Sequence, residues 1–319
     1  MKILCNSLYK PLLATDISKE ILFLDDEQCK SCGEGFDLSE IEMAIMQPFF
    51  FNKEFLDRMP KLKIAQITGA GYDRVDLTEL KKRNICLCNS KGVMSVSIAE
   101  DVFAKMLFFS RQIRVVEQDR IDHKWDLFGQ NQWMCSCYED LYGKVLGIMG
   151  YGSIGGEIAK RSKAFGMKNY TYGNRLYLND SLIDHSYSHP EQLPEFYREC
   201  DYIVICLPLN DKTRGIISTE AFASMKKSAV LINVARGPIV DQNALVEALK
   251  TGTIKAAAID VFDVEPLPAD SELWECPNLF ISSHKAGMGD SWKRFIGNLI
   301  MRNIEHYIRE TPLENKISF

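Results

Sequence analysis

The 319-residue sequence has no run of about 18 apolar residues and no short basic and apolar leader ending in small residues. Those absences argue against a membrane-spanning helix and a secretory signal, and a cytoplasmic protein is expected. Internal repeats and low-complexity tracts are also missing, so the chain is no solenoid and carries no compositionally biased linker. Neither sign of charge dominates: 38 basic side chains against 43 acidic ones leave a net charge of −5. That balance offers no basic face to nucleic acid or to an anionic membrane, and neither partner is expected. Ten cysteines are present, but the pair Cys29-x-x-Cys32 has no second pair and no histidines to complete four metal ligands. It lies in an acidic, glycine-containing segment that reads as a loop; Cys135-x-Cys137 is the other close pair. Cys5, Cys86, Cys88 and Cys206 fall in β-like runs, as reduced thiols used as small apolar side chains do. No metal site is expected.

What is present is an alternation of short apolar runs with helical patterns, long enough for roughly two domains. Candidate strands are Lys2 to Cys5, Ile21 to Leu24, Ala44 to Met46, Lys63 to Thr68 and Ile85 to Cys88, with helical spacing over Asn52 to Arg58 and Leu77 to Lys82. The alternation resumes at Tyr202 to Cys206, Ala229 to Asn233, Lys255 to Asp260 and Leu279 to Ser282, with helices near Thr219 to Met225 and Gln242 to Leu249. This βα order predicts parallel sheets covered by helices. A long helix begins near Ser95, with Ser97 and Glu100 at capping-box spacing, and is expected to cross from one domain to the other. A polar segment containing Trp residues, His123 to Asp140, reads as a loop near a cleft or as an oligomer contact. Leu176 to Pro194 reads as a surface connection, and Ser291 to Arg309 as a long amphipathic helix.

The centre of the chain is Lys144 to Arg175. An apolar run, Val145 to Met149, leads into Gly150, Gly152 and Gly155 at G-x-G-x-x-G spacing, then a helical pattern, then a second short run ending at Tyr172. In that context the first glycine allows a tight turn, the second lets a diphosphate approach the backbone, and the third lets helix and strand pack closely. With Ser153 and Ile154 they form a helix N-terminus whose free N–H groups suit phosphate. Further on, three charged residues follow strand-like runs: Arg236 after Leu231 to Ala235, Glu265 after Asp260, and His284 after Phe280 to Ser283. Ligands of open α/β sheets sit beyond the carboxyl ends of strands, so these residues should share one crevice. Arginine holds a carboxylate bidentately, histidine exchanges a proton with an oxygen, and a carboxylate beside it stabilises the imidazolium. A dinucleotide site, a carboxylate clamp and a proton donor together imply hydride transfer to a 2-keto acid. The other histidines, His123, His185, His189 and His306, stand in polar contexts and receive no role. In the first hundred residues, the turn Gly69-Ala70-Gly71-Tyr72-Asp73 presents N–H groups that suit an anion.

The ordered set of these segments resembles the D-isomer-specific 2-hydroxyacid dehydrogenase family. The resemblance takes in Gly69 to Asp73 with Val75-Asp76-Leu77, Ala99-Glu100, Leu141 to Lys144 leading into Gly150 to Gly155, and Asn233 to Gly237 with Asp241. It continues through Asp260-Val261, Glu265-Pro266, His284 with Ala286-Gly287, and Pro312 to Asn315. It implies two doubly wound parallel-sheet α/β domains with a cleft between them: a flavodoxin-like substrate domain (1–97 plus 288–319) and a Rossmann cofactor domain (98–287). Arg236 would bind the substrate's carboxylate and carbonyl, His284 would be the acid/base, Glu265 would orient His284, and Ala70 and Gly71 would donate backbone N–H groups to the carboxylate. Asp260 would bond the nicotinamide carboxamide, with Pro208 and Ala235 also beside the cofactor. The family is usually dimeric through the cofactor domain, which makes His123 to Asp140 an expected interface or cleft-lining segment. Departures are Asp101, where the family commonly has histidine, Lys285 after the acid/base, and the polar Ser95 to Ser97. No long C-terminal regulatory extension is present, so control by serine is not expected.

NAD sites place an acid about 20 residues beyond the glycine motif for the ribose 2′-OH, whereas an arginine there suits a 2′-phosphate. Here the second run ends Tyr172-Gly173-Asn174-Arg175, so Asn174 and Arg175 predict NADP, with NAD possible. The expected activity is reduction of a small 2-keto acid such as glyoxylate or hydroxypyruvate. A dinucleotide-sensing corepressor, or an enzyme of the same fold acting on formate or phosphite, is the alternative.

Overall fold

A computed structural model describes residues 2–13, 21–125 and 138–318. Cys135, Cys137 and most of the polar segment before Asp140 lie outside the described residues. The chain divides into two compact units, Met1–Met94 with Gly289–Phe319, and Ser95–Met288.

In the first unit, β1 (Lys2–Asn6), β2 (Ile21–Leu24), β3 (Ile41–Met46), β4 (Ile64–Ile67) and β5 (Cys86–Cys88) form a parallel sheet in the order β2-β1-β3-β4-β5. That is the flavodoxin-like doubly wound order. Both faces are covered, which is why these strands are nearly continuous apolar runs. Successive side chains serve opposite cores: Leu4, Ala44 and Met46 pack with Phe51, Phe55 and Leu56, while Ile3, Cys5, Met43 and Ile45 pack with the helix Ser291–Ile308. That helix buries Ile296, Leu299, Ile300 and Ile304, each worth roughly 1.5–3 kcal/mol of transfer free energy. One polar side chain interrupts β4. Gln66, fully buried, accepts from Asn303 Nδ2 at 2.6 Å and donates to Ile67 O at 2.9 Å, so its burial leaves no unmet bond. The segment around Asn315 closes the β5 edge through Asn89 N to Asn315 O (3.1 Å) and Ile317 N to Leu87 O (2.8 Å).

In the second unit, β6 (Val145–Met149), β7 (Lys168–Tyr172), β8 (His185–Tyr187), β9 (Tyr202–Ile205), β10 (Val230–Asn233), β11 (Ala256–Ile259) and β12 (Leu279–Ile281) form a parallel sheet in the order β12-β11-β10-β9-β6-β7-β8. The order runs outward from β6 in both directions, with a switch point between β6 and β9. The register aligns one row across the sheet: Tyr187, Tyr172, Met149, Ile205, Asn233, Ile259 and Ile281 are successive partners. Every candidate site residue of this unit lies just past that row.

Three sequence expectations need correction. Leu176 to Pro194 is more than a connection, because His185–Tyr187 pairs with β7 as the sheet's edge strand. Only Tyr187 of the three is buried, so the strand is too short and too polar to announce itself by alternation. Cys29 sits in a short helix, Asp26–Lys30, opened by a capping box of Asp25 and Gln28, and it packs with Cys32 in the core beside Leu24 and Leu38. Ser97 is buried inside the helix Ser95–Ser110 instead of capping it, and that helix falls wholly within the second unit.

Candidate functional site

The glycine turn follows β6 directly. Gly150 has φ +96°, the left-handed region in which side chains are strained, and a Cβ there would stand 2.9 Å from the backbone of Cys206 and Leu207. At Gly155 a Cβ would meet Gly150 O at 2.5 Å, so only glycine lets the helix Ser153–Ala164 lie against β6. Gly152 is the opposite case. It has an unexceptional φ of −104° and nothing within 4 Å of where a Cβ would be, and open space is what a diphosphate needs there. The helix's first turn contains no acid, so the partial positive charge of its N–H groups faces that space uncancelled by a carboxylate. These residues fit a dinucleotide's diphosphate.

Beyond β7, Asn174 and Arg175 are exposed. Arg175 Nε donates to Tyr177 Oη at 2.8 Å, and no acidic side chain is recorded as its partner among the described residues.

On the other side of the switch point, β10, β11 and β12 deliver their residues side by side. Asn233, the last residue of β10, shapes the loop after it: its Oδ1 accepts from Ala235 N (3.1 Å) and its Nδ2 donates to Arg236 O (3.0 Å). Arg236 is partly buried, with Nη1 donating to Ala235 O at 2.6 Å. Gly237 then passes so close to the next loop that a Cβ would fall 2.0 Å from the carbonyl carbon of Phe262. Glu265 is anchored in that second loop, where Oε1 accepts from Phe262 N at 3.2 Å. Its Oε2 lies 2.9 Å from His284 Nδ1. Glu265 is 22% exposed and His284 50%, so the carboxylate is sheltered while the imidazole faces outward.

His284 has φ +52°, a conformation that costs a non-glycine residue roughly 1–2 kcal/mol. Asp260, only 1% exposed, holds it there. Asp260 O accepts from His284 N (2.8 Å), Oδ1 accepts from Ser282 Oγ (2.5 Å) and Lys285 N (2.9 Å), and Oδ2 accepts from Ala286 N (2.9 Å). The visible work of Asp260 is therefore to build the loop that presents the histidine. Pro208, after β9, accepts from Thr213 Oγ1 at 2.7 Å, which shapes the loop facing Gly150.

In the first unit, the turn at Ala70 and Gly71 is braced by the segment just after β5: Asn89 Nδ2 donates to Ala70 O (2.7 Å) and Ser90 N to Gly69 O (3.0 Å). Ala70 is exposed.

Sequence reasoning placed Asn233 and Gly237 in the family-like segment but did not read that they shape the Arg236 loop, and it missed Lys105. Lys105 is 1% exposed inside an apolar helix and is ion-paired to Asp101, with its Nζ 5.9 Å from the Phe280 ring centroid. The departure at Asp101 is thereby accounted for, since a buried ammonium requires a carboxylate. Burial raises the Asp101 carboxyl above the usual range, Asp260's charge adds to the rise, and Lys105 opposes it. The spacing i, i+4 was the available signal.

Among the described residues no group of three or more His, Cys, Asp or Glu side chains is arranged to hold a metal, and the eight described cysteines are free. No helix among them is long and apolar enough to cross a membrane.

Comparison with known proteins agrees with this geometry. Residues 103–286 match the family model described as D-isomer specific 2-hydroxyacid dehydrogenase, NAD binding domain. Glyoxylate reductase of Korarchaeum cryptofilum is 35% identical over 79% of this chain and 74% of its own length. Glyoxylate/hydroxypyruvate reductase B of Erwinia tasmaniensis is 37% identical over 72% of this chain and 71% of its own. A crystal structure of a D-isomer specific 2-hydroxyacid dehydrogenase family protein from Aeromonas salmonicida superposes with TM-score 0.83 at 30% identity, covering 99% of this chain and 98% of that one.

Proposed function

The chain belongs to the D-isomer specific 2-hydroxyacid dehydrogenase family, and from that premise we propose that it is an NADP-preferring reductase of small 2-keto acids, with glyoxylate or hydroxypyruvate as substrate. Its class, an NAD(P)-dependent oxidoreductase, follows from the family. The observation that carries the finer reading is the row of strand ends: past it, on adjacent strands, stand Arg236, Glu265 and His284, and on the far side of the switch point stand the glycine turn and Arg175.

When bound, the reduced nicotinamide supplies hydride to carbon 2 of the keto acid. Arg236 holds the substrate's carboxylate and polarises its carbonyl. His284 gives the C2 oxygen its proton, which completes the 2-hydroxy acid. The bond between Nδ1 and Glu265 commits that ring nitrogen and leaves Nε2 as the proton donor. Asp260 keeps the imidazole in place by holding its loop. Ala70 and Gly71 of the first unit are proposed as backbone donors to the substrate carboxylate, which makes that unit the substrate domain and the second the cofactor domain. Arg175, standing just past the end of β7 where an NAD site places an acid, supports NADP over NAD.

We further assign the enzyme to the cytosol, and to homodimers through the helix Ile113–Ile121. That helix buries none of its residues, and Ile113, Val115, Val116 and Ile121 are each between 46% and 56% exposed.

The direct test is NADPH oxidation, followed by absorbance, across a panel of 2-keto acids. Turnover with glyoxylate or hydroxypyruvate is expected. Oxidation with none of the panel would favour a dinucleotide-sensing binding protein.

A further inference from the structure

Beyond β7, a chain of side chains connects the candidate phosphate-binding turn to Arg175. Arg175 Nε donates to Tyr177 Oη at 2.8 Å, with the guanidinium carbon 4.8 Å from the Tyr177 ring centroid. Tyr177 Oη donates to Tyr151 O at 3.0 Å, and Tyr151 Oη donates to Asp180 Oδ2 at 2.9 Å. The two tyrosine rings meet edge to face, with centroids 4.7 Å apart and planes at 82°. Both ends are tied down: Tyr177 N donates to Ser186 Oγ on β8 (3.1 Å), and Leu182 N donates to Asp180 Oδ1 (2.9 Å).

The direction of each bond is determined. A phenol has one hydrogen and two lone pairs, so Tyr177, having given its hydrogen to a carbonyl, can only accept from Arg175. Burial, reinforced by Asp180, lifts the Tyr151 phenol well above the usual range, so it remains a donor at any working pH. An unbraced arginine on an exposed loop would lose on the order of 2 kcal/mol of side-chain entropy on ordering. Here Nε is already spent on Tyr177, which pre-orders the side chain and leaves the two terminal nitrogens to meet a ligand. The other end of the brace is also significant. Tyr151 stands between Gly150 and Gly152, so one rigid chain fixes the distance between the turn suited to a diphosphate and the guanidinium suited to a second phosphate.

We propose that Tyr177, seated on Tyr151, is a specificity-determining residue that positions Arg175 for dinucleotides carrying a 2′-phosphate. The proposal rests on the NADP reading above. NAD has no 2′-phosphate for Arg175 to meet, so Tyr177 contributes to the use of one cofactor and not the other.

The test is Tyr177→Phe, which keeps the ring and removes Oη, measured beside the wild type and Arg175→Ala. Steady-state kinetics with NADPH and NADH are combined with calorimetric binding of 2′,5′-ADP and 5′-AMP. Tyr177→Phe is expected to raise KM for NADPH roughly tenfold at unchanged kcat, the size of one lost positioning hydrogen bond. It should weaken 2′,5′-ADP to a similar extent, while NADH kinetics, 5′-AMP affinity and the melting temperature stay at wild-type values. Arg175→Ala should lose at least as much. If both cofactors weaken equally, or the melting temperature falls, the tyrosine is merely structural and the proposal is overturned. If Tyr177→Phe keeps the wild-type preference while Arg175→Ala loses it, the brace is refuted and the NADP reading stands. A wild type that binds 2′,5′-ADP no better than 5′-AMP overturns both.

Discussion

His284 stands in the left-handed region of backbone space, and its ring is half exposed beside a sheltered carboxylate. A histidine needed only for packing would have no reason to occupy that conformation, and four hydrogen bonds from the Asp260 residue to the loop hold it there. The division of labour is testable at this scale. His284→Ala should lower kcat by about a thousandfold or more, the range of a general acid lost, while calorimetric NADPH affinity stays near wild type. Wild-type turnover in that variant would remove the residue from the chemistry. Glu265→Gln keeps the side chain's size and its contact to Phe262 N but removes the charge. It should therefore lower kcat with little change in KM, which a parallel titration of substrate would read.

Three glycines in the turn after β6 and the first turn of the helix that follows have different duties. Gly155 is needed for packing, because a Cβ would enter the Gly150 carbonyl, whereas Gly152 faces open space. Gly155→Ala should destabilise the fold by about 1–3 kcal/mol, the range for overpacking a close contact, read as a lower midpoint in thermal unfolding. Gly152→Ala should leave that midpoint unchanged and raise KM for NADPH roughly tenfold, since the added methyl occupies room the diphosphate requires. If Gly152→Ala left cofactor binding untouched, this turn would not be the diphosphate site. The element scale also shows where polar burial is tolerated. Gln66 in β4 and Lys105 in the long helix each sit in apolar surroundings with a designated partner, Asn303 and Asp101 respectively.

At the scale of the whole molecule, two doubly wound sheets of different strand order use one chain, with the last helix returning to the first unit. The exposed aliphatic side chains of Ile113–Ile121 are the feature that a monomer would leave in water. Sedimentation velocity should find a dimer, and Ile113→Glu combined with Val116→Glu should shift it to monomer without lowering the melting temperature. A monomeric wild type would refute the assignment of this helix to an interface.

Much of the fold was legible in the sequence because buried parallel strands must be apolar throughout and a glycine turn must use glycine where a Cβ cannot fit. The candidate site residues were legible for a related reason, since charges stand out when they follow apolar runs, as Arg236, Glu265 and His284 do. The edge strand His185–Tyr187 was not legible, because a strand with one buried side chain has no pattern to read. Nor were the supports: Asn233 shaping the Arg236 loop, Gly237 pressed on Phe262, Asp260 turned toward its own neighbours' amides, and Tyr177 holding Arg175. Local chemistry and periodicity determined which residues could do the work. Only the tertiary structure decided their partners, because a hydrogen bond spanning 20 or more residues, such as Ser282 to Asp260 or Tyr177 to Tyr151, depends on strand order and loop path and leaves no local trace in the chain.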